Sequence, residues 1–342
     1  MSALKVLVTG SAGFIAGYLV EDLLGAGYDV VGIDNFSKYG ETRRDHDSHP
    51  RYQFVRGDAK DIDLVKKLLA DCDHFIAGAA IIGGISLFHE LAYDLLAENE
   101  RITAAAFDAA IWAFREKKLK KITVMSSSMV FESADVFPTA EGEQRRCAPP
   151  QSTYGFQKLA TEYFAQGARE QYGLPYTIVR PFNCIGVGES RAAIEREVMS
   201  GNIRLAMSHV VPDLVQKVIK GQDPLHILGN GNQVRHYTYG GDLARGIRMT
   251  LESEAATNED FNLSTDEGTT VLELAEMIWT KIRPGVPFRY TSDAAYPYDV
   301  QRRVPSTTKA REILGFTARV PLSDALDRII PWVRHQVELG AI

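Results

Sequence analysis

The stretch that most constrains this chain lies near its amino terminus. Lys5-Val-Leu-Val-Thr9 is followed by Gly10-Ser-Ala-Gly13-Phe-Ile-Ala16-Gly17 and then by Tyr18 to Leu24. The apolar core of the first segment predicts a strand, the glycines a turn and the third segment a helix. Glycines let the backbone turn tightly and approach a pyrophosphate, which a helix amino terminus then favours. The third position of the pattern, where glycine permits close helix–strand packing, is Ala16, a change that the dinucleotide fingerprint tolerates. A second strand, Asp29 to Ile33, ends at Asp34. An acid about 20 residues beyond the turn is placed to bond a ribose 2′-hydroxyl. Its charge repels a 2′-phosphate, so the pattern favours NAD over NADP, although Lys38, Arg43 and Arg44 follow closely and soften that preference.

Further strands at Tyr52–Arg56 and His74–Ala77, with a helical stretch Ile62–Leu69 between them, continue the alternation. Alternating strands and helices imply a parallel sheet covered on both faces, with ligands at the strands' carboxyl ends. Gly10, Asp34, Asp58 and Ala79 all fall at such ends. The 342 residues suffice for one large or two medium domains. A net charge of −6 argues against a nucleic-acid or membrane-surface protein. Cys72, Cys147 and Cys184 are odd in number and far apart, without metal-ligand spacing. They read as reduced thiols of a cytoplasmic protein, with no metal and no apolar run long enough to span a bilayer.

In the middle of the chain, Ile122–Met125 predicts a fifth strand, followed by Ser126-Ser127-Ser128-Met129-Val130-Phe131. Tyr154 and Lys158 are four residues apart on a predicted helix, Tyr154–Tyr172, and so share a face. An ammonium beside a phenol favours the phenolate, which makes a tyrosine a usable acid or base. Hydroxyls at the end of the fifth strand can bond a substrate hydroxyl and pass its proton to Tyr154.

Taken together, Thr9-Gly10-x-x-Gly13-Phe-Ile, Gly57-Asp58, Ala79-Ala80, Asn99, the serine run and Tyr154-x-x-x-Lys158 resemble an extended short-chain dehydrogenase/reductase of the nucleotide-sugar epimerase/dehydratase branch. The resemblance runs from Lys5 to about Trp332. It implies an α/β fold: a Rossmann-type doubly wound parallel sheet with a smaller C-terminal α/β substrate domain. Residues 1–180 and 236–262 would hold NAD, and 181–235 with 263–342 a nucleotide-diphosphate sugar. The NAD contacts it implies are Gly10, Ala12, Gly13, Phe14, Ile15, Asp34 and Asn35. Asp58 and Ala59 would add contacts at the adenine, Ala79 and Ala80 along the cofactor, then Asn99, and Lys158 at the nicotinamide ribose. Aligning Val130 with the family's Ser-x-x-Val-Tyr pattern makes Ser127 the catalytic serine beside Tyr154 and Lys158, with Ser126 or Ser128 as fallbacks.

Relatives that dehydrate carry Asp-Glu where this chain has Ser128-Met129, and decarboxylases and 3,5-epimerases carry Glu or Cys at the second place. Methionine cannot transfer a proton. What remains is oxidation and re-reduction at C4, so the expected activity is an NAD-dependent 4-epimerase. The loop Ile81-Ile82-Gly83-Gly84-Ile85 is more similar to that of GDP-mannose 3,5-epimerases. It keeps dehydration and 3,5-epimerisation open. A 4-ketosugar reductase and an inactive dinucleotide-binding scaffold are rival readings of the same motifs. Gly84, Ser86 and Ser128 are expected at the sugar, with His89 a weaker candidate. Asn183, in Arg180-Pro-Phe-Asn-Cys-Ile-Gly186, is expected at the diphosphate. Leu225 and Ile227 are expected along the base, and Arg235 and Arg303 on the phosphates, where guanidinium geometry suits oxygen pairs. The stretch Gly188 to Met207 is longer than the family pattern. Two long helices, Glu98–Lys117 and Tyr154–Tyr172, would form a homodimer interface.

Overall fold

A computed structural model describes residues 3–83, 91–190, 198–200, 202–205, 209–294 and 300–342. Seven strands form its main sheet: β1 Lys5–Thr9, β2 Asp29–Asp34, β3 Tyr52–Arg56, β4 His74–Ala77, β5 Lys121–Met125, β6 Tyr176–Pro181 and β7 Glu259–Leu263. Their order is β7-β6-β5-β4-β1-β2-β3, and every pairing is parallel. The order reverses between β1 and β4, which opens a crevice at their carboxyl ends.

Period-two alternation assigns the strand residues to the two faces of the sheet. Leu7, Val31, Ile33 and Phe75 pack with helices α2 (Ile62–Leu69), α3 (Ala92–Glu116) and α4 (Thr153–Tyr172). Val6, Val8, Val30 and Ile76 pack on the other face with α1 (Phe14–Gly25) and α6 (Gly240–Glu252). The chain leaves the sheet after β6 and returns for β7, which is why residues distant in sequence share one core. Helix α3 starts six residues before the expected Glu98, because Leu95 is buried and anchors an extra turn.

A second core gathers Val211, Val215, Leu225, Ile227, Leu274, Ile278, Trp279, Leu326 and Ile329. It joins α5 (Val210–Ile219), α7 (Val271–Ile282) and α9 (Leu322–Glu338) to a short parallel pair, Leu225–Leu228 with Tyr290–Asp293. A capping box opens α7: Thr270 Oγ1 accepts from the Glu273 amide at 3.1 Å, and the Glu273 carboxylate accepts from the Thr270 amide at 2.8 Å. Helix α8 (Thr308–Leu314) instead packs on the sheet side, where Ala310 and Phe316 join the core of α1 and α6. Tyr18 of α1 links the two parts: its hydroxyl donates to the Val187 carbonyl at 3.0 Å and accepts from the Val187 amide at 2.7 Å. No described helix is long and apolar enough to cross a membrane.

Beneath the carboxyl ends of β5, β6 and β7 lies a buried ion cluster. Arg180 is 0% exposed; its Nε and Nη2 each donate to Glu162 at 2.7 Å, and Nη2 also donates to Asp260 at 2.7 Å. Lys309 donates to the other Asp260 oxygen at 2.8 Å. Burial alone raises the Asp260 carboxyl, but Arg180 and Lys309 outweigh it and hold it at about 2. A depressed carboxyl contributes stability above its unfolded value, near 4, and loses it as pH falls towards 2. Asp260→Asn is therefore expected to cost about 2 kcal/mol at pH 7. Denaturant titrations should show that gap narrowing below about pH 4; a gap independent of pH would contradict the assignment.

Candidate active site

A cleft of about 940 Å³ opens along the carboxyl edge of the sheet and extends to the second core. On the sheet side it begins at the turn after β1. Gly10 has φ +73°, and a β-carbon there would stand 2.9 Å from Ala79 Cα. Only glycine allows this conformation together with so close an approach of the β1 and β4 ends. Gly13 caps α1, and Phe14 and Ile15 follow it along the cleft. Ala12 contributes its amide, which donates to Asp34 at 3.1 Å; the Phe36 amide donates to the other Asp34 oxygen at 2.7 Å. Burial raises the Asp34 carboxyl above its ordinary value, with these amides pulling it back. Asn35, Asp58, Ala59, Ala79 and Ala80 also line this half. A glycine turn on a helix amino terminus with a half-buried acid beside it fits a dinucleotide.

Asn99 stands behind the wall of this half. It is buried in α3, accepts from the Ile81 amide at 2.7 Å and donates to the Ile81 carbonyl at 3.0 Å. It shapes the wall beyond Ala80 and does not itself line the cleft.

The serine run resolves by hydrogen bonding. Ser126 donates to Glu162 at 2.6 Å, which turns its hydroxyl into the ion cluster. Ser127 bonds the Tyr154 phenol and accepts from the Met129 amide at 3.2 Å. Ser128 is buried in the turn Ser128–Phe131 and lines the cleft. Tyr154 sits in the first turn of α4, where Ser152 accepts from the Gly155 amide at 3.0 Å as the cap. Ser152 is in turn fixed by Glu132, which accepts from its amide at 3.1 Å and its hydroxyl at 2.7 Å.

The electrostatics of Tyr154 differ from the expectation drawn from spacing. Burial raises the phenol, and the influences opposing this are the Ser127 hydrogen bond and the charge of Arg303. Lys158 lies 5.9 Å from the Tyr154 ring centroid, and its ammonium donates to the Met125 carbonyl at 2.9 Å. Burial lowers Lys158 to about 8, opposed by Glu100. In this arrangement desolvation outweighs the attraction between the two groups.

On the far side, Arg235 and Arg303 both line the cleft, and the Arg303 amide donates to the carbonyl of Val234, the neighbour of Arg235, at 3.2 Å. Arg302 points elsewhere and stacks at 4.6 Å on Phe137. Asn183 lines the cleft with φ +35°, and its Oδ1 is buried with no hydrogen-bond partner. An orphaned acceptor on a strained backbone is a common mark of a ligand site. Leu225 and Ile227 do not line the cleft. Both are buried in the second core, and strand alternation gives the cleft Leu228 instead. Gly84, Ser86 and His89 lie outside the described residues. Met129 lines the cleft, as expected of a position where an acid would matter. Acids without any motif to mark them in the sequence line it too: Glu132, Glu189, paired with His209, and Asp213. The folded chain alone brings them to the wall. Among the described residues no cluster could hold a metal.

The family model described as the NAD dependent epimerase/dehydratase family matches residues 6–264. A curated putative UDP-glucose 4-epimerase of Methanocaldococcus jannaschii is 28% identical over 96% of this chain and 98% of its own. A dTDP-4-dehydro-6-deoxy-D-allose reductase of a Streptomyces species is 25% identical over 96% of each chain. The solved structure of UDP-glucuronic acid 4-epimerase from Bacillus cereus, in complex with UDP-glucuronic acid and NAD, is 27% identical. It covers 97% of this chain and 99% of that one, with a TM-score of 0.79.

Two outcomes follow from the geometry around Tyr154. A β-carbon at Gly155 would stand 2.7 Å from Pro150 and 2.8 Å from the Met129 carbonyl. Gly155→Ala should therefore shift Tyr154 and lower kcat at least about tenfold, with a smaller effect on KM, measured by steady-state kinetics. Lys158 should lose its proton near pH 8 in the ligand-free protein, followed by NMR of ¹³C-labelled lysine. Because Glu100 holds that proton on, Glu100→Gln should move the titration lower; a shift upward would contradict the pairing.

Proposed function

Because the chain belongs to the NAD dependent epimerase/dehydratase family, we propose that it is a nucleotide-sugar 4-epimerase that works through a transient 4-keto sugar. The observation that carries this reading is the composition of the catalytic wall. Ser127 and Tyr154 share a hydrogen bond there, and Ser128-Met129 supplies no acid beside them. NAD, when bound, supplies the acceptor and donor of hydride. Tyr154 takes the proton of the C4 hydroxyl and gives it back, with Ser127 holding that hydroxyl in line. Lys158 stands by at the ribose, and its charge favours the phenolate once substrate and cofactor displace water. Asn183, Arg235 and Arg303 hold the diphosphate, and Arg303 also tempers the Tyr154 phenol. Rotation of the 4-keto sugar in the cleft would present the opposite face of C4 for re-reduction.

In this reading residues 1–180 and 236–262 hold NAD rather than NADP, because the Asp34 carboxylate faces the ribose. Residues 181–235 and 263–342 hold the nucleotide-diphosphate sugar, with helix α8 leaning back onto the sheet. A homodimer pairs α3 and α4 with their copies. Tyr93, Phe156 and Tyr163, which are 76, 48 and 57% exposed, give that surface its apolar content.

A second reading, elimination or epimerisation next to the keto carbon, is favoured by the Glu132 and Glu189 carboxylates in the cleft. Product NMR in D₂O over a panel of UDP-, dTDP-, GDP- and CDP-sugars separates the two. Inversion at C4 without solvent deuterium on carbon is expected, and Tyr154→Phe should lower kcat by about 10²-fold or more. Deuterium at C3, C5 or C6 would replace the first reading with the second.

A further inference from the structure

Helix α5 carries two side chains of opposite charge that the reading above leaves without a role, Asp213 and Lys217. At a spacing of i and i+4 they share one face of the helix. Both line the cleft at its second-core end, among the apolar side chains of Val210, Leu214, Leu228 and Val271.

Lys217 is only 3% exposed. Its ammonium donates to the His226 carbonyl at 2.9 Å, its one hydrogen bond among the described residues. An ammonium carries three donors, so this carbonyl does not satisfy it. Asp293 is nearby but committed elsewhere: one oxygen pairs with the His226 ring at 2.8 Å, and the other accepts from Ser200 at 3.1 Å. Burial lowers Lys217 below its usual value, and the charges of Asp213 and Asp293 oppose this. A buried ammonium short of acceptors is costly, and an acceptor oxygen on a ligand in the cleft would relieve it.

The surroundings favour a flat heterocycle as that ligand. Apolar walls with a few placed polar groups suit a ring, and the phosphates already have Arg235 and Arg303. Bases differ in what their edges offer. Uracil, thymine and guanine carry a ring carbonyl next to a ring N–H, whereas cytosine and adenine carry an amino group next to a ring lone pair. An ammonium donates to the carbonyl and a carboxylate accepts from the N–H. In the same pose cytosine or adenine would set donor against donor and lone pair against lone pair.

We propose that Lys217 and Asp213 set the base preference of the nucleotide sugar, selecting a base whose ring carbonyl adjoins a ring N–H over one with an amino group there. The proposal rests on the reading of this cleft as a nucleotide-sugar site and adds which edge is read, and by which side chains.

Isothermal titration of UDP, GDP and CDP, and of uridine and guanosine, into the NAD-loaded protein tests it, with Lys217→Met and Asp213→Ala beside the unsubstituted chain. The unsubstituted chain should bind UDP or GDP at least about tenfold more tightly than CDP, and the tighter of the two tells a pyrimidine site from a purine site. Lys217→Met should weaken that ligand by about 10- to 100-fold, the range of a hydrogen bond to a charged group, and leave CDP nearly unchanged. The matching nucleoside should lose affinity by the same factor, because the lost contact is to the base. If Lys217→Met does not fold, Asp213→Ala should still narrow the gap to CDP. CDP bound as tightly as UDP and GDP, an equal loss for CDP, or a loss confined to the diphosphates would overturn the proposal. If the unsubstituted chain binds no nucleoside diphosphate, the nucleotide-sugar reading itself falls, and this inference with it.

Discussion

The buried guanidinium of Arg180 holds this active site in place. It joins β6 to α4 through Glu162 and to β7 through Asp260, and Glu162 also receives Ser126 at the end of β5. The helix that carries Tyr154 and Lys158 is therefore fixed to the strand end that carries Ser127 by charge inside the core. Breaking one partner of such a cluster leaves an uncompensated buried charge, which is far costlier than a lost surface pair. The same cluster assigns the serines: with Ser126 committed to Glu162, its neighbour Ser127 bonds Tyr154.

Tyr154 and Lys158 are held in a buried environment that disfavours both charged forms. Tyr154 is raised and Lys158 lowered by the same cause, burial. Glu100 and Arg303 oppose that burial from two sides, Glu100 steadying the ammonium and Arg303 favouring the phenolate. Glu132 acts one step back, through Ser152, on the first turn of α4. These groups sit on the loop before α4, on α3 and near residue 303, so the surroundings of Tyr154 and Lys158 are assembled from most of the chain.

Much of this is legible in the sequence, for physical reasons. Strands β1 and β4 and helix α2 fall where apolar runs and turn residues place them, because strands buried in the middle of a parallel sheet leave little freedom in their pattern. Gly10, Asp34 and Tyr154 are legible because backbone conformation and proton chemistry restrict those positions to few residue types. The acids Glu132 and Glu189 are not, since an acid in a loop looks the same whether it faces solvent or a cleft. Asn99 stands out in the sequence, but the pattern does not reveal that its amide grips Ile81. The spacing of Tyr154 and Lys158 predicts their proximity and carries no information about desolvation, which decides their charge.

The strand Leu225–Leu228 turns Leu225 and Ile227 inward, and neither side chain reaches the cleft. A strand that spends these side chains on packing is difficult to retune by point substitution, because exchanging them alters the core before it alters the cleft. Divergence of ligand preference in such a protein would accumulate in α5 and in the loops around it, while this strand drifts only within the limits of packing.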